Sequence, residues 1–522
     1  MPAIRSRLLP IAFCLLVAAF VAVAAASTRT APETYPVADT ATTSIATLQA
    51  ARGTLSVGAY SRFGWNHPGP LLYQILAGPY EWSGRREIAL KWTALALNLA
   101  WLGGLLVLLG RRAPVLAVTV AMALIPLLWR EQRLLFFAWN PFVTVLALAF
   151  AVGAAADLAT GVGWRRRFGP AWLAIALSFC VQAHAGLIIP AAVCVLAAAS
   201  GLWRSGAPLP PLAWWTIGRG LAIAGGAVGL LWLTPLIAEL RETPGNLASM
   251  VAFLGDGSLP RRTWLQAIPG AAYMTIGPYL PVWVLHFNEI PAPLPGWLPV
   301  AFALLVAATG ACTARLHRHG RRYEAAFGAI ATACSIAVVV SARGIVGPFS
   351  DYLLIWATAI GALDIGIVLA ALAPPGSGAS RSHAFVRGGG LAVVCVGVWA
   401  IVGGVRLDGK HAEQARDTTL RALSTDLRAY CDRQRIARPL LTFAGEAAWR
   451  EAVGVVLQFD KDDRAIAIGD DGVFMVGRSF ARTGREDATF FLMPTTGASL
   501  PADAARTEWI TTRGLHRIVR IR

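Results

Sequence analysis

The sequence predicts an α-helical polytopic membrane protein of about eleven transmembrane helices, ending in a small α/β domain on the outer side. Three observations predict it. Apolar residues make up 56% of the 522 and charged residues only 14%, against about 25% charged in a soluble chain. Uncharged runs of roughly 20 residues, the length that spans a bilayer, recur along the chain. From about Leu407 the pattern changes to an amphipathic helix and short strands.

The net charge of +17 does not require nucleic acid. Most arginines stand at the ends of apolar segments, where the positive-inside rule accounts for them. No basic patch with interleaved aromatics stands outside that pattern, so no nucleic-acid partner is expected. Membrane lipids are. Cys14, Cys180, Cys194, Cys312, Cys334 and Cys395 fall inside apolar segments, where they act as small hydrophobes, and Cys431 stands alone near the C-terminus. No disulfide framework or metal-binding CxxC is present, and no cofactor is expected.

In order, residues 8–26 form an apolar run behind Arg5 and Arg7. Its AVAAAS end allows a cleaved signal peptide, but the length favours an uncleaved anchor helix. Either way residues 27–87 form a first outer loop. Further spans are expected at 88–110, 113–129, 140–158, 170–185, 186–203, 218–238, 295–314, 324–341, 352–373 and 388–405. The segment 261–292, with its prolines and glycines, reads as re-entrant, surface-lying or one more helix. Arg111–Arg112, Arg165 to Arg167, Arg204 with Arg219, Arg315–Arg322, and Arg381 with Arg387 share the side of the N-terminus, which is therefore cytoplasmic. The division is a membrane domain over 1–406 and an extracytoplasmic α/β domain over 407–522. In the latter, DTTLRALSTDLRAYCDRQ and EAAWREAVGVVLQF read as helices, and RPLLTFAG, AIAIG and ATFFLM as strands. Its acidic DKDD and GDD turns read as solvated loops, and no glycine-rich phosphate loop follows a strand.

The chemistry concentrates in the first loop. From Gly58 to Tyr80 it reads GAYSRFGWNHPGPLLYQILAGPY. Glycines and prolines, Pro79 included, break any long helix there. Tyr60, Phe63, Trp65, Tyr73, Tyr80 and Trp82 are rings of the kind that settle at a bilayer surface, and PLLYQILAG reads as a short helix with proline in its first turn. Upstream, Asp39 begins a helical run to Gln49. It reads either as a helix cap or as a reactive carboxylate beneath that aromatic floor.

Asp39, Gly53, Gly58, His67, Pro68, Pro70, Leu71 and Tyr73 together resemble the first outer loop of the GT-C superfamily of membrane glycosyltransferases. AWNP at Ala138–Pro141, QAHAG at Gln182–Gly186, TPGN at Thr243–Asn246 and SDYLLIW at Ser350–Trp356 add to the likeness. The loop lacks the DxD pair of metal-dependent members. The resemblance implies sugar transfer from a polyprenyl-phosphate donor to an envelope glycan, lipid or protein acceptor on the outer face. It implies an inverting, metal-independent displacement, with Asp39 taking the acceptor proton. Arg62, Arg130, Arg133 and Arg343 stand at outer membrane edges and would grip phosphate, although each also fits an interfacial anchor. Glu131 reads as a further acidic residue near the donor or as an ion-pair partner of Arg130 or Arg133. His67 and Tyr73 carry the motif, and His184 is a boundary histidine. His67 equally fixes a turn, and His184 equally bonds a neighbouring carbonyl. Asp351 and Glu239 belong to the same class as His184. The rivals are a glycan polymerase or ligase fed by lipid-linked oligosaccharide, a transporter or flippase, and an anchored assembly or sensor protein. A transporter calls for polar, broken helices at mid-membrane, whereas here the polar residues gather on one face. Eleven spans exceed what an anchor requires.

Overall fold

The computed structural model describes residues 18–161, 164, 168–204, 211–281, 283–285, 289–290, 293–373, 415–496 and 507–521. The membrane part runs through α1 (18–30), α2 (Ala38–Ala51), α3 (Leu71–Trp82), α4 (Glu87–Arg112), α5 (Pro114–Arg130), the single turn α6 (Arg133–Phe136), α7 (Asn140–Ala159) and α8 (Gly169–Ala183). It continues with α9 (Ile188–Arg204), α10 (Pro211–Arg241), α11 (Asn246–Gly255), α12 (Trp264–Ile276), α13 (Leu298–Arg318), α14 (Arg322–Arg343) and α15 (Ala357–Leu372). Among the described residues six of these helices are long and apolar enough to cross a membrane: α4, α7, α9 with the turn before it, α10, α13 and α14. The spans expected at 113–129, 170–185 and 352–373 are helices of 17, 15 and 16 residues. At about 1.5 Å per residue they fall short of a hydrocarbon layer roughly 30 Å thick. Two of the three are shortened by a 3-10 turn at the loop end: one follows α8 after His184, and the turn Asp351–Leu354 precedes α15. The span 388–405, residues 8–17 of the first span, Arg165 to Arg167, Arg381, Arg387 and the 406/407 boundary lie outside the described residues.

At the centre stands α7, apolar on every side and buried from Asn140 to Leu158, as a helix without a polar face must be. Pro141 in its first turn costs no hydrogen bond. By contrast α10 and α13 leave apolar side chains outward, with Leu230 73% and Leu304 66% exposed. A chain in water would bury these; in a bilayer they face acyl chains at no cost. The segment 261–292 contains the 13-residue helix α12, capped by Thr263 and Gln266. Its Ala267, Ala271 and Ala272 are buried, small enough to let it pack inside the protein.

One end of the bundle collects arginine. Arg112 pairs with Asp157 at 2.6 Å and lies 5.5 Å from the Tyr323 ring centre. Nearby, Arg321 pairs with Glu324 at 2.8 Å and donates to the Ala370 carbonyl. The opposite end carries the first loop, the starts of α4, α7 and α15, and the end of α14.

The C-terminal part has α16 (Ala415–Gln434), β1 (Pro439–Phe443), α17 (Gly445–Lys461), β2 (Ala467–Ile468), α18 (Asp470–Val476), β3 (Ala488–Pro494), β4 (Thr507–Arg513) and β5 (His516–Ile521). These strands form one sheet in the order β2-β1-β3-β5-β4. The first three are parallel and the β4–β5 hairpin is antiparallel. Helix α17 leaves β1 and leads to the parallel neighbour β2, a crossover that parallel strands require. Both helices and the three strands expected there are present. The hairpin is an addition: its signal was the alternation in TEWITTR and HRIVRI around Gly514, whose φ of +55° suits a tight turn.

The DKDD turn is solvated only in part: Asp462 and Asp463 are exposed, whereas Asp460 and the Lys461 side chain are covered. It is where this part docks on the first loop. Arg52 reaches Asp460 at 2.5 Å and Asp463 at 3.1 Å, and Arg85 reaches Asp463 at 2.8 Å. Lys461 meets the buried Glu87 carboxylate at 3.1 Å, and Ser44 and Tyr80 each donate to that carboxylate at 2.6 Å. Such a network is costly to break from either side, because a buried charge would lose its partner.

Candidate functional site

A cavity of about 420 Å³ lies at the loop end of the bundle, lined from the first loop, α7, the α8–α9 turn, α11, α14 and the turn before α15. The stretch 58–67 forms its rim as a short hairpin. Gly58 N–H bonds the His67 carbonyl at 2.8 Å, His67 N–H the Ala59 carbonyl at 2.8 Å, and Ser61 N–H the Trp65 carbonyl at 3.0 Å. Gly58 is required there, since a Cβ would stand 2.8 Å from the Gly69 carbonyl oxygen and 2.9 Å from that of His67. After Pro70 the helix α3 begins as expected, but it continues through Pro79 to Trp82. Near its end Pro79 forfeits one backbone bond, and the buried Leu76 and Tyr80 on either side hold the helix together.

Asp39 lies on the cavity wall, half-buried, in the first turn of α2. It is not the cap: Val37 holds that position without a side-chain bond. Ala38, just before it, has φ +53°, a left-handed conformation that costs about 1–2 kcal/mol for a residue with a Cβ. The Asp39 carboxylate instead accepts a hydrogen bond from Tyr60 Oη at 2.6 Å. Burial pushes its pKa above the usual carboxylate range. The Tyr60 bond and the charges of Arg62 and Arg450 act the other way. Arg62 lines the same cavity, exposed, with no ion pair among the described residues.

His67 and His184 stack with ring centres 5.1 Å apart. His67 Nδ1 accepts the Ala185 N–H at 3.1 Å, and His184 Nδ1 accepts the Gly186 N–H at 3.0 Å. Each neutral ring therefore carries its proton on Nε2. Burial, and then the neighbouring His184, lower the His67 pKa well below that of an ordinary histidine. His184 Nε2 is buried without a hydrogen-bond partner among the described residues. Tyr73 completes the floor, its phenol pKa raised by burial and by the Asp39 charge.

The structure thus gathers Asp39, Arg62, His67, Tyr73 and His184 around one cavity. It places the other four candidates elsewhere. Glu131 is buried and forms a two-armed pair with Arg133. Arg130 donates to the carbonyls of Leu280, Pro281 and Trp283, the last two at 2.7 and 2.6 Å. The Arg343 guanidinium lies 4.9 Å from the Trp264 ring centre, while its neighbours Ser341 and Gly344 line the cavity. Glu239 caps α11 through the N–H groups of Leu247 and Ala248, at 2.6 and 2.9 Å. Asp351 is buried outside the lining. Among the described residues no three His, Cys, Asp or Glu side chains group to hold a metal.

The four accessory motifs converge here. Trp139 and Asn140 of AWNP, His184 to Gly186 of QAHAG and Ser350 with Tyr352 of SDYLLIW line the cavity. Asn246 of TPGN clamps the Asn66 backbone through two bonds of 2.7 and 2.9 Å. Sequence reasoning missed Tyr60 as the partner of Asp39, since nothing local links residues 21 apart. It also missed Trp449, which α17 contributes to the cavity wall.

No family model and no curated protein matches the sequence. Two solved structures of ArnT from Cupriavidus metallidurans share its architecture. The structure bound to undecaprenyl phosphate superposes with TM-score 0.55 at 13% identity, covering 98% of both chains. The apo structure superposes with TM-score 0.53 at 14% identity, over the same 98% of each. At this identity the likeness is one of architecture: the chain shares the ArnT fold, with packed apolar helices followed here by a small C-terminal sheet.

Proposed function

We propose that this protein is a membrane glycosyltransferase that moves a sugar from a polyprenyl-phosphate carrier to a cell-envelope acceptor at the outer face of the cytoplasmic membrane. The observation that carries this reading is Asp39: a half-buried carboxylate, positioned by Tyr60, on the wall of a cavity whose other side is apolar. The fold shared with a protein solved with undecaprenyl phosphate supports the donor class. No nucleotide sugar is expected outside the cytoplasm, so a lipid-carried donor fits the outer face.

In the displacement, the acceptor hydroxyl gives its proton to Asp39 as its oxygen bonds the anomeric carbon. The bond from that carbon to the phosphate oxygen breaks, and the polyprenyl phosphate leaves with the electron pair. Phosphate is a weak base and leaves without a general acid. Arg62 meets the growing negative charge, and the Nε2–H of His67, a cavity-lining residue, is a further donor. A carboxylate with a raised pKa is a stronger base than a free one, as proton abstraction at neutral pH favours. Attack from the side opposite the leaving phosphate inverts the anomeric centre, and none of these steps calls on a metal.

The test is transfer by purified protein in lipid nanodiscs, supplied with radiolabelled polyprenyl-phosphate sugars and envelope lipids, wild type beside Asp39→Asn. Transfer in the wild type and a loss of about 100-fold or more in the variant are expected. Equal turnover removes Asp39 from the reaction. For orientation, a cysteine at the exposed Phe63 should react with a membrane-impermeant maleimide in intact cells. Reaction only after permeabilisation would overturn the outer placement.

A further inference from the structure

We propose that Trp449 of the C-terminal part forms the acceptor subsite: its indole is the platform on which a saccharide ring of the acceptor stacks beside Asp39. This role presupposes the sugar-transfer reading and adds to it the chemical class of the acceptor.

The cavity wall has two characters. On the side of α9, α11 and α14 it is built of Ile188, Ile189, Met250, Leu254 and Val340, an apolar surface suited to a polyprenyl chain. On the side of α2 and α17 it carries Asp39, Thr42, Thr43 and Trp449. A lipid tail gains nothing by leaving the first side for the second. The substrate that meets the second side is the hydrophilic one, and its hydroxyl must reach Asp39.

Trp449 is half-buried, and its indole N–H has no hydrogen-bond partner among the described residues. A half-open indole offers a flat apolar face to the C–H bonds of a pyranose and an N–H to one of its hydroxyls. Its position relative to Asp39 is fixed by the fold. Helix α17 approaches the chain just before α2 so closely that a Cβ on Gly454 would stand 2.9 Å from the Pro36 carbonyl oxygen. Gln49 donates to the Val476 carbonyl at 2.7 Å and to Ser479 Oγ at 3.0 Å. Phe474 meets Tyr60 edge to face, 5.5 Å between ring centres, and Tyr60 in turn holds Asp39. The C-terminal part thereby completes the site from above the membrane bundle.

The test uses the full chain in nanodiscs and two titrations: fluorescently labelled oligosaccharides released from cell envelopes by mild acid, and undecaprenyl phosphate. Trp449→Leu keeps apolar bulk without the aromatic face. It should weaken oligosaccharide binding about tenfold or more, as loss of an aromatic anchor does, with undecaprenyl phosphate binding within about twofold of wild type. Trp449→Phe restores a ring and should stay within about threefold for both. Equal oligosaccharide binding by Trp449→Leu and wild type, no oligosaccharide binding by the wild type, or equal weakening of both ligands would each overturn the assignment. Preference for an envelope peptide or a sugar-free lipid in competition would do so as well. Failure of undecaprenyl phosphate to bind the wild type would instead sink the donor reading, with the oligosaccharide titration still deciding the role of Trp449.

Discussion

Two loops at the same end of the bundle carry similar charges and use them in opposite ways. In the second, around residues 130–137, every candidate charge is committed: Glu131 to Arg133, and Arg130 to a row of carbonyls in the chain beyond α12. In the first, Asp39 holds only a neutral phenol and Arg62 stands at the cavity without an ion pair among the described residues. A charge already neutralised by its own fold has little left for a substrate, whereas one held in place yet unpaired is available in the transition state. On the proposed reading the first loop is the reactive one and the second is a brace.

The largest effect that could break this contrast is at Glu131. The brace predicts that Glu131→Gln leaves transfer within about threefold of wild type, while Asp39→Asn loses about 100-fold or more. A comparable loss at Glu131 would make both loops catalytic. Next comes Tyr60→Phe, which removes one hydrogen bond to a carboxylate and should cost about tenfold in kcat/KM. It also bears on pH. The reaction needs Asp39 ionised, so kcat/KM should fall as pH drops through the pKa of Asp39, which burial has raised above the ordinary value of about 3.9. The Tyr60 bond lowers that pKa, so Tyr60→Phe should move the acid limb further upward. An unmoved limb would mean that Asp39 is not the titrating group. Since His67 is held neutral, no step attributable to it should appear near pH 6.5, and one that vanished in His67→Gln would place the ring in proton transfer. The smallest effect on activity belongs to Arg130→Ala. Thermal unfolding in nanodiscs should show a loss of about 1–3 kcal/mol from its charge-assisted bonds, with the donor KM unchanged. A raised donor KM would return Arg130 to the phosphate site.

Legibility followed the range of the interactions. Spans of apolar residues, the arginine-rich end, and two helices and three strands after residue 415 are written in local composition and period, so they could be read directly. The length of α8 and α15 could not, because α8 ends and α15 begins where the chain bends at a cavity formed by distant segments. The acidic DKDD turn looked solvated since its partners, Arg52 and Arg85, lie some 400 residues upstream.

From the sequence alone came the membrane class, the position of the polar face, and a first loop in which Asp39, His67 and Tyr73 stand together. Only the tertiary structure decided which charges remain unspent, that Tyr60 holds Asp39, and that Trp449 closes the wall from the far end of the chain. The physical reason is that burial and pairing are properties of a neighbourhood. Residue type and spacing fix what a side chain is able to do, and the contacts brought by remote segments fix what it is left free to do.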